Sequence, residues 1–444
     1  MKRRWTDTLP GIAAGSLAGA AGAMMLWRSL RRDFDFLRWP GVICCVLGAV
    51  LAAGGFVRAG SARSVLRAAA IVVLNTAALL GVVEIACRLG GVNFAVMTGE
   101  RERFERFPVC FRMPTQPLPE VFFARPGPQA WTGRVLNTML ENLKSIDVAY
   151  PDEPEITVRY DKDGFRNPDD LVDWDIAVAG DSFTEAGYLP EEQMFTSVLA
   201  AKSGRRVKHL GVSYTGNFTQ TAYLRRFGKS ASTRQAVIAF FEGNDIEDDV
   251  RELRDLQRFR SAGVRPVREM GRETSFLRTL YLMTKNMSQL RITPRSYATA
   301  HWAGVGGSTP VSIYEAPPSP ETLTAGQREA VCAALDEWSH ACRDLGLDPW
   351  LLFLPCKARV LHGGLEFLPA ASAATVKWTP GRLPEFIGSL CKERGIRFID
   401  STPPLAASCL QGVLTHNTIY DTHLNREGCR IVGELLAKSL STAP

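Results

Sequence analysis

Apolar residues follow two different patterns in this 444-residue chain. The first 90 residues contain three long apolar runs, at about residues 9–27, 39–57 and 65–87. Each run is close to the roughly 20 residues that a helix needs to cross a bilayer. From residue 161 onward, short apolar runs alternate with longer segments of helical period. The pattern predicts a membrane anchor of three transmembrane helices (1–90), an irregular lead-in rich in Pro and aromatic residues (91–160), and one large domain (161–444).

Lys and Arg residues flank the apolar runs and indicate their orientation. Six of them lie at the N-terminus and in the second connector, against four in the first connector. Because positive residues accumulate on the cytoplasmic side, we expect a multi-pass membrane protein whose large domain is periplasmic. The alternative is a cleaved signal peptide over residues 1–23. We favour an uncleaved helix because the run stays apolar through Trp27. Glu84 and Arg88, four residues apart, are expected to pair on one helix face.

Strand-like and helix-like segments alternate in the large domain. The predicted strands are residues 176–179, 207–212, 236–241, 350–354 and 396–399, after an earlier one at 155–160. The predicted helices are residues 191–202, 220–227, 325–345, 383–394 and 426–439. Such alternation is typical of a parallel sheet with right-handed crossovers. We therefore predict an α/β fold, a doubly wound three-layer α/β/α parallel sheet, interrupted by a lid-like insertion near residues 246–320.

Composition narrows the possible functions. The net charge of +6 arises from 52 Lys and Arg against 46 Asp and Glu. Much of this excess flanks the apolar runs and forms no basic stripe with interleaved aromatic residues, so nucleic acid is not an expected partner. The ten cysteines form no CxxC pair and the histidines show no ligand spacing, so we predict no metal and no cofactor. Most cysteines are expected to be buried free thiols. The alternative is that one or two disulfide bridges form if the large domain faces an oxidising compartment.

Residues suited to nucleophilic catalysis stand next to the predicted strands. A Gly-Asp-Ser tripeptide ending at Ser182 follows the strand at 176–179. A Gly-Asn-Asp tripeptide with Asn244 at its centre follows another strand, and an Asp-Thr-His tripeptide, from Asp421 to His423, precedes the last helix. A serine nucleophile needs a base, and the base needs a carboxylate that orients it. Ser182, His423 and Asp421 are residues of these three types.

These motifs resemble those of the SGNH, or GDSL-like, hydrolase superfamily. The resemblance extends from about Gly164 to the C-terminus. Its Asp-Thr-His motif is one residue shorter than the usual Asp-x-x-His, a form similar to that of membrane-linked members and of relatives that acetylate cell-envelope polysaccharides. The resemblance implies an SGNH-like hydrolase domain with a catalytic triad, in which Ser182 is the nucleophile, His423 the general base and Asp421 the carboxylate that orients it.

The resemblance also implies an oxyanion hole. Its donors would be the N–H of Ser182, the N–H of Gly216 and the side-chain amide of Asn244. The second donor is the weakest match. Gly211 is a competing alignment, and Tyr214 can occupy the position because only a backbone N–H is required.

The motifs and the apolar runs together give a leading hypothesis and two alternatives. The leading hypothesis is a membrane-anchored serine esterase that hydrolyses an acyl ester, with acetyl as the expected group. The first alternative is an O-acyltransferase that uses the same triad on a cell-envelope glycan. The second is a non-catalytic envelope protein that binds glycan or a membrane partner. Lys357, after the strand at 350–354, is either a contact for an anionic substrate or a plain surface lysine.

Overall fold

The structure is a computed structural model of the chain. It describes residues 78, 80–90, 116–118, 121–125, 127–134, 155–262, 275–277, 299–304, 307–313, 316–369, 371–418 and 422–441. The first two predicted transmembrane runs and most of the third therefore lie outside the described residues. Within the residues that are described, no helix is both long enough and apolar enough to span a bilayer. These residues belong to two compact units.

The first unit includes residues 78–90 and 275–277. Residues 80–89 are helical. The Arg88 Nε donates to the Glu84 Oε1 at 2.6 Å, which confirms the predicted pairing across one helical turn. The other Glu84 oxygen accepts the N–H of Leu277 at 2.8 Å.

A five-stranded parallel sheet forms the centre of the second unit. The described strands of this unit are, in chain order, β1 (Gln116–Leu118), β2 (Val121–Ala124), β3 (Gln129–Arg134), β4 (Glu155–Tyr160), β5 (Ile176–Gly180), β6 (Val207–Gly211), β7 (Gln235–Phe241), β8 (Ala300–Gly304), β9 (Gly307–Val311), β10 (Asp348–Leu354), β11 (Leu365–Phe367) and β12 (Arg397–Asp400). The parallel sheet has the order β6-β5-β7-β10-β12. Since β5 is its first strand along the chain, the order is 2-1-3-4-5, one of the two common doubly wound orders.

Helices cover both faces of this sheet. The described α-helices of the second unit are α1 (Ser182–Glu185), α2 (Phe195–Ser203), α3 (Asn217–Phe227), α4 (Asp245–Ala262), α5 (Ala325–Leu345), α6 (Lys357–Val360), α7 (Ala373–Lys377), α8 (Leu383–Glu393), α9 (Thr402–Leu410) and α10 (Arg426–Ser441). Ile176 and Val178 pack into a core with α2 and α10, whereas Ala177 and Ala179 pack into a second core with α3, α5 and α8. Because successive side chains of a strand point to opposite faces, the predicted three-layer α/β/α arrangement is confirmed.

Two segments predicted to be irregular contain regular structure. The lead-in contributes β1 to β3 besides β4, which is the strand predicted at 155–160, and β3 pairs antiparallel with β4. The segment predicted as a lid-like insertion begins with α4 and ends with β8 and β9, which form an antiparallel sheet with β11. The sequence pattern missed α4 for a physical reason. Its buried face carries Asp245, Asp249 and Glu252 at helical spacing, so a search for apolar periodicity does not detect it.

The cysteines that the structure describes are free thiols. Five of them are buried, as expected of small apolar side chains: Cys342, Cys356, Cys391, Cys409 and Cys429.

Candidate active site

The order of the parallel strands locates a candidate site. In doubly wound sheets, ligands bind beyond the carboxyl ends of the strands at the point where the strand order reverses. Here that point lies between β5 and β7. Ser182 begins α1 just after β5, and Asn244 lies between β7 and α4. Both residues are half-buried, so their side chains stand at the edge of the sheet where a ligand is expected.

A tight turn between β5 and α1 presents Ser182. The Asp181 side chain caps α1, because its Oδ1 accepts the N–H of Phe183 at 2.9 Å. A Cβ atom at position 180 would clash with the side chain of Thr184. Gly180 therefore allows the first turn of α1 to pack directly against the end of β5. The turn fixes the backbone of the serine while its hydroxyl stays accessible.

His423 lies within hydrogen-bond distance of this serine. Its Nε2 is 2.7 Å from the Ser182 Oγ, the contact that a general base needs with its nucleophile. The rings of Phe183 and Tyr188 flank the imidazole, with centroid distances of 4.6 and 5.0 Å. These rings restrict the orientation of the imidazole. Asp421, the residue expected to hold the other ring nitrogen, lies outside the described residues.

Backbone hydrogen bonds close the loop that carries His423. The N–H of Asn417 donates to the carbonyl of His423 at 2.9 Å, and the N–H of Asn425 donates to the carbonyl of Thr415 at 3.1 Å. The segment 415–418 is thus tied to the segment that leads into α10. We call these two described segments, residues 415–418 and 422–425, the histidine loop.

The backbone N–H groups after β6 do not all face the site. The N–H of Gly216 donates to the Glu252 Oε1 at 2.8 Å, and the N–H of Ser213 donates to the Glu185 Oε2 at 2.7 Å. The role predicted for Gly216 is therefore corrected, because its N–H binds a buried carboxylate of α4. Glu252 gave no signal in the sequence, since its role depends on a helix that the sequence pattern did not reveal.

The two alternatives for the second oxyanion donor occupy different environments. The N–H of Gly211 points toward the Nδ1 of His209, at 3.3 Å. Tyr214 is 40% exposed and has a φ of 66°, a conformation that is rare for a bulky residue. Its carbonyl accepts a hydrogen bond from the Arg251 guanidinium at 3.3 Å. Tyr214 is thus held in a left-handed conformation at the exposed part of this loop.

The Asn244 side chain is anchored from one side. Its Nδ2 donates to the Asp248 Oδ2 at 2.8 Å. An amide nitrogen carries two hydrogens, so the same group can donate a second hydrogen bond. The Asn244 Oδ1 is buried and has no hydrogen-bond partner among the described residues.

Buried carboxylates form a cluster next to these residues. The members of this acidic cluster are Asp181, Asp245, Asp248, Asp249 and Glu252. Burial raises the pKa of Asp181 to about 6, and burial together with repulsion from Asp181 raises the pKa of Asp245 well above its usual value. Backbone donors hold two further members besides Asp181 and Glu252, since Asp245 accepts the N–H of Phe241 and Asp249 accepts the N–H of Asn217, each at 2.8 Å. Within the described ranges, no group of three or more His, Cys, Asp or Glu residues is arranged to hold a metal ion.

The raised pKa of Asp181 predicts a pH-dependent contribution to stability. The folded protein binds a proton at Asp181 up to about pH 6, whereas an ordinary Asp releases it near pH 3.8. The stability that this group contributes is therefore present below pH 3.8 and is lost as the pH rises toward 6. We expect the midpoint of thermal unfolding of Asp181→Asn, measured relative to wild type, to rise between pH 4 and pH 6. Asn retains the capping oxygen. A pH-independent difference between the two proteins would contradict the assignment.

Comparisons with known proteins give structural likeness only. No family model matches the sequence, and no curated protein matches it. Among solved structures, the chain is similar to a lipolytic protein of the G-D-S-L family from Desulfitobacterium hafniense DCB-2, with 14% identity, a TM-score of 0.29, and coverage of 60% of this chain and 98% of that one. It is also similar to a carbohydrate esterase family 2 enzyme with a carbohydrate binding domain from Corynascus thermopiles (Myceliophthora fergusii). The identity is 12%, the TM-score is 0.30, and the match covers 64% of this chain and 70% of that one. Likeness of this degree leaves the chemistry to be argued from the site itself.

Proposed function

We propose that this chain is a membrane-anchored serine esterase that hydrolyses an acyl ester, with acetyl as the expected group, outside the cytoplasm. The observation that supports the proposal is the 2.7 Å distance between the Ser182 Oγ and the His423 Nε2. A serine hydroxyl is a weak nucleophile until a base takes its proton, and this contact supplies the base. The pair also lies where a doubly wound sheet binds its ligand.

The proposed reaction has two stages. In the first, the Ser182 Oγ attacks the ester carbonyl while the His423 Nε2 takes the hydroxyl proton. The imidazolium then gives this proton to the leaving alcohol, and an acyl-serine remains. In the second stage, His423 takes a proton from water, the resulting hydroxide attacks the acyl-serine, and the carboxylic acid product leaves as Ser182 regains its proton. Asp421 is proposed to accept the other N–H of the imidazole and so to fix its tautomer.

The negative charge of the tetrahedral intermediate requires hydrogen-bond donors. We assign the Ser182 N–H and the Asn244 side-chain amide to this role. A third donor is proposed at the backbone N–H of Tyr214, because this residue lies at the exposed part of the loop after β6 and its φ of 66° gives the backbone there an unusual direction. Loss of one such donor typically lowers kcat by about 10²- to 10³-fold.

Intact-mass spectrometry of the full-length chain in mild detergent tests the proposed nucleophile. We expect a fluorophosphonate to add once to the wild type and not to Ser182→Ala. Ser389→Ala is the matched control, because Ser389 is exposed on α8 and its removal leaves the site unchanged. No adduct on the wild type, or an adduct that persists in Ser182→Ala, would contradict the proposal.

The acyltransferase alternative shares every step up to the acyl-serine, and differs in that a sugar hydroxyl replaces water. The two functions are distinguished with p-nitrophenyl acetate as acyl donor, with and without added glycan. Release of acetate that is independent of glycan supports the esterase. Acetylated glycan formed at a higher rate than free acetate would instead establish the transferase.

A further inference from the structure

A fully buried lysine lies beside the histidine loop. The Lys357 side chain is 0% exposed. Its ammonium group donates to the carbonyl of Thr418 at 2.9 Å and to the carbonyl of Ser312 at 3.1 Å. Neither a contact with an anionic substrate nor a plain surface lysine describes this position. Burying an ammonium group costs free energy unless polar partners replace water, and here two carbonyl groups do so.

The backbone of Lys357 is fixed to the strand that leads to Asn244. The N–H of the preceding residue, Cys356, donates to the Glu242 Oε2 at 3.0 Å. The Arg359 Nε donates to the Glu242 Oε2 at 2.9 Å and its Nη2 donates to the Glu242 Oε1 at 2.5 Å. The Glu242 side chain is 0% exposed, and Glu242 stands two residues before Asn244. A desolvated, bidentate ion pair therefore holds α6 against the end of β7.

The Lys357 ammonium group contacts the histidine loop one residue away from a hydrogen bond to His423. Thr418, whose carbonyl it binds, is next to Asn417, and the N–H of Asn417 donates to the carbonyl of His423 at 2.9 Å. A shift of Thr418 would therefore be passed to His423 through a single backbone hydrogen bond. Lys357 thus connects α6, which is held at the end of β7, to the segment of the histidine loop that is hydrogen-bonded to His423.

We propose that Lys357 is a positioning residue for the reaction. Its ammonium group holds the histidine loop so that the His423 Nε2 stays within hydrogen-bond distance of the Ser182 Oγ. The inference rests on the proposed function. A misplacement of about 1 Å at a catalytic group can cost about 10²-fold in rate, and a charged donor binds a carbonyl more strongly than a neutral one. Removing the ammonium group should therefore slow acylation of the serine and leave substrate binding nearly unchanged.

Three variants of the full-length chain test this inference. Lys357→Met keeps the length of the side chain and removes its donors, and Lys357→Gln retains one amide donor. Lys208→Met is the matched control, because Lys208 is also buried but pairs with the carboxylate of Asp161, at 2.8 Å, instead of with a carbonyl of the histidine loop. We measure kcat and KM with p-nitrophenyl acetate, and the rate of fluorophosphonate labelling of Ser182.

We expect kcat and the labelling rate of Lys357→Met to fall by about 10- to 10²-fold, with KM within about twofold of wild type. Lys357→Gln should lie between Lys357→Met and wild type. Lys208→Met should unfold at a lower temperature but keep kcat within about twofold of wild type. Wild-type kcat in Lys357→Met would overturn the inference. Failure of both Lys357 variants to fold would also overturn it, because the lysine would then serve folding alone. A wild type that is not labelled at all would count against the proposed function itself.

Discussion

Replacing His423 by alanine is expected to lower kcat for ester hydrolysis by about 10⁴-fold or more, with a much smaller change in KM. The reason is the 2.7 Å contact between the His423 Nε2 and the Ser182 Oγ, which is the route by which the serine loses its proton. Without the imidazole, the hydroxyl keeps its proton at neutral pH and attacks slowly. Kinetics with p-nitrophenyl acetate measure the loss, and fluorophosphonate labelling shows whether the acylation step is affected.

Two further variants serve as a control for the His423→Ala result and as a test of the role proposed for Asp421. His340→Ala removes an exposed histidine of α5 and should keep kcat within about twofold of wild type. Asp421→Asn should lower kcat by about 10⁴-fold if Asp421 orients the imidazole as proposed. A His423→Ala protein that retained a tenth of the wild-type kcat would show that another group acts as the base. Wild-type kcat in Asp421→Asn would remove Asp421 from the mechanism and leave His423 in place.

The parallel sheet could be predicted because its central strands β5, β7 and β10 are largely apolar on both faces. Residues 176–179 of β5 are all buried, two toward each helical layer, so they form a continuous apolar run in the sequence. The long helix α5 begins after a capping box at Thr324 and ends at Gly346, which has a φ of 63°. Both of its boundaries can therefore be predicted from the residues next to them. Ser182, Asn244 and His423 could then be located because their motifs directly follow predicted strands or precede the last predicted helix.

The features that could not be predicted from the sequence involve buried charged side chains. The face of α4 that packs inward carries carboxylates, and one of them, Glu252, takes the N–H that was assigned to the oxyanion hole at Gly216. Lys357 is buried although an isolated lysine is usually exposed. Arg125, from the lead-in that showed no clear period, is buried in the second unit. In each case the partner lies far away in the chain, so no local pattern could indicate it.

Arg125 gives the largest expected effect on stability. Its Nε donates to the Glu185 Oε1 at 2.6 Å and its Nη2 donates to the Glu185 Oε2 at 3.0 Å, and both side chains are 0% exposed. Tyr160 donates its hydroxyl to the same carboxylate at 2.6 Å. Burial acts to raise the pKa of Glu185, but the charge of Arg125 and these hydrogen bonds outweigh it, so the pKa lies below its usual value. The carboxylate therefore remains ionised inside the protein.

We expect Arg125→Met to lower the free energy of unfolding by about 3 to 5 kcal/mol at pH 7, because it leaves Glu185 as an uncompensated buried charge. The double variant Arg125→Met/Glu185→Gln should recover part of this loss, since the unpaired charge is then absent. Arg430→Met, which breaks exposed ion pairs with Glu427 and Glu434, should change the free energy of unfolding by only about 1 kcal/mol or less. Guanidinium unfolding of the full-length chain, followed by tryptophan fluorescence, measures all three.

The pH dependence of the same variants separates lost charge pairing from lost packing. Because the folded-state pKa of Glu185 is lowered, the stabilisation by the ion pair is present above the usual value of 4.5 and is lost as the pH falls through the folded-state pKa. The difference between wild type and Arg125→Met should therefore shrink on acidification. A difference that stays constant would assign the effect to packing of the arginine stem. Glu185 also holds the N–H of Ser213 at 2.7 Å, so loss of Arg125 should lower kcat as well as stability.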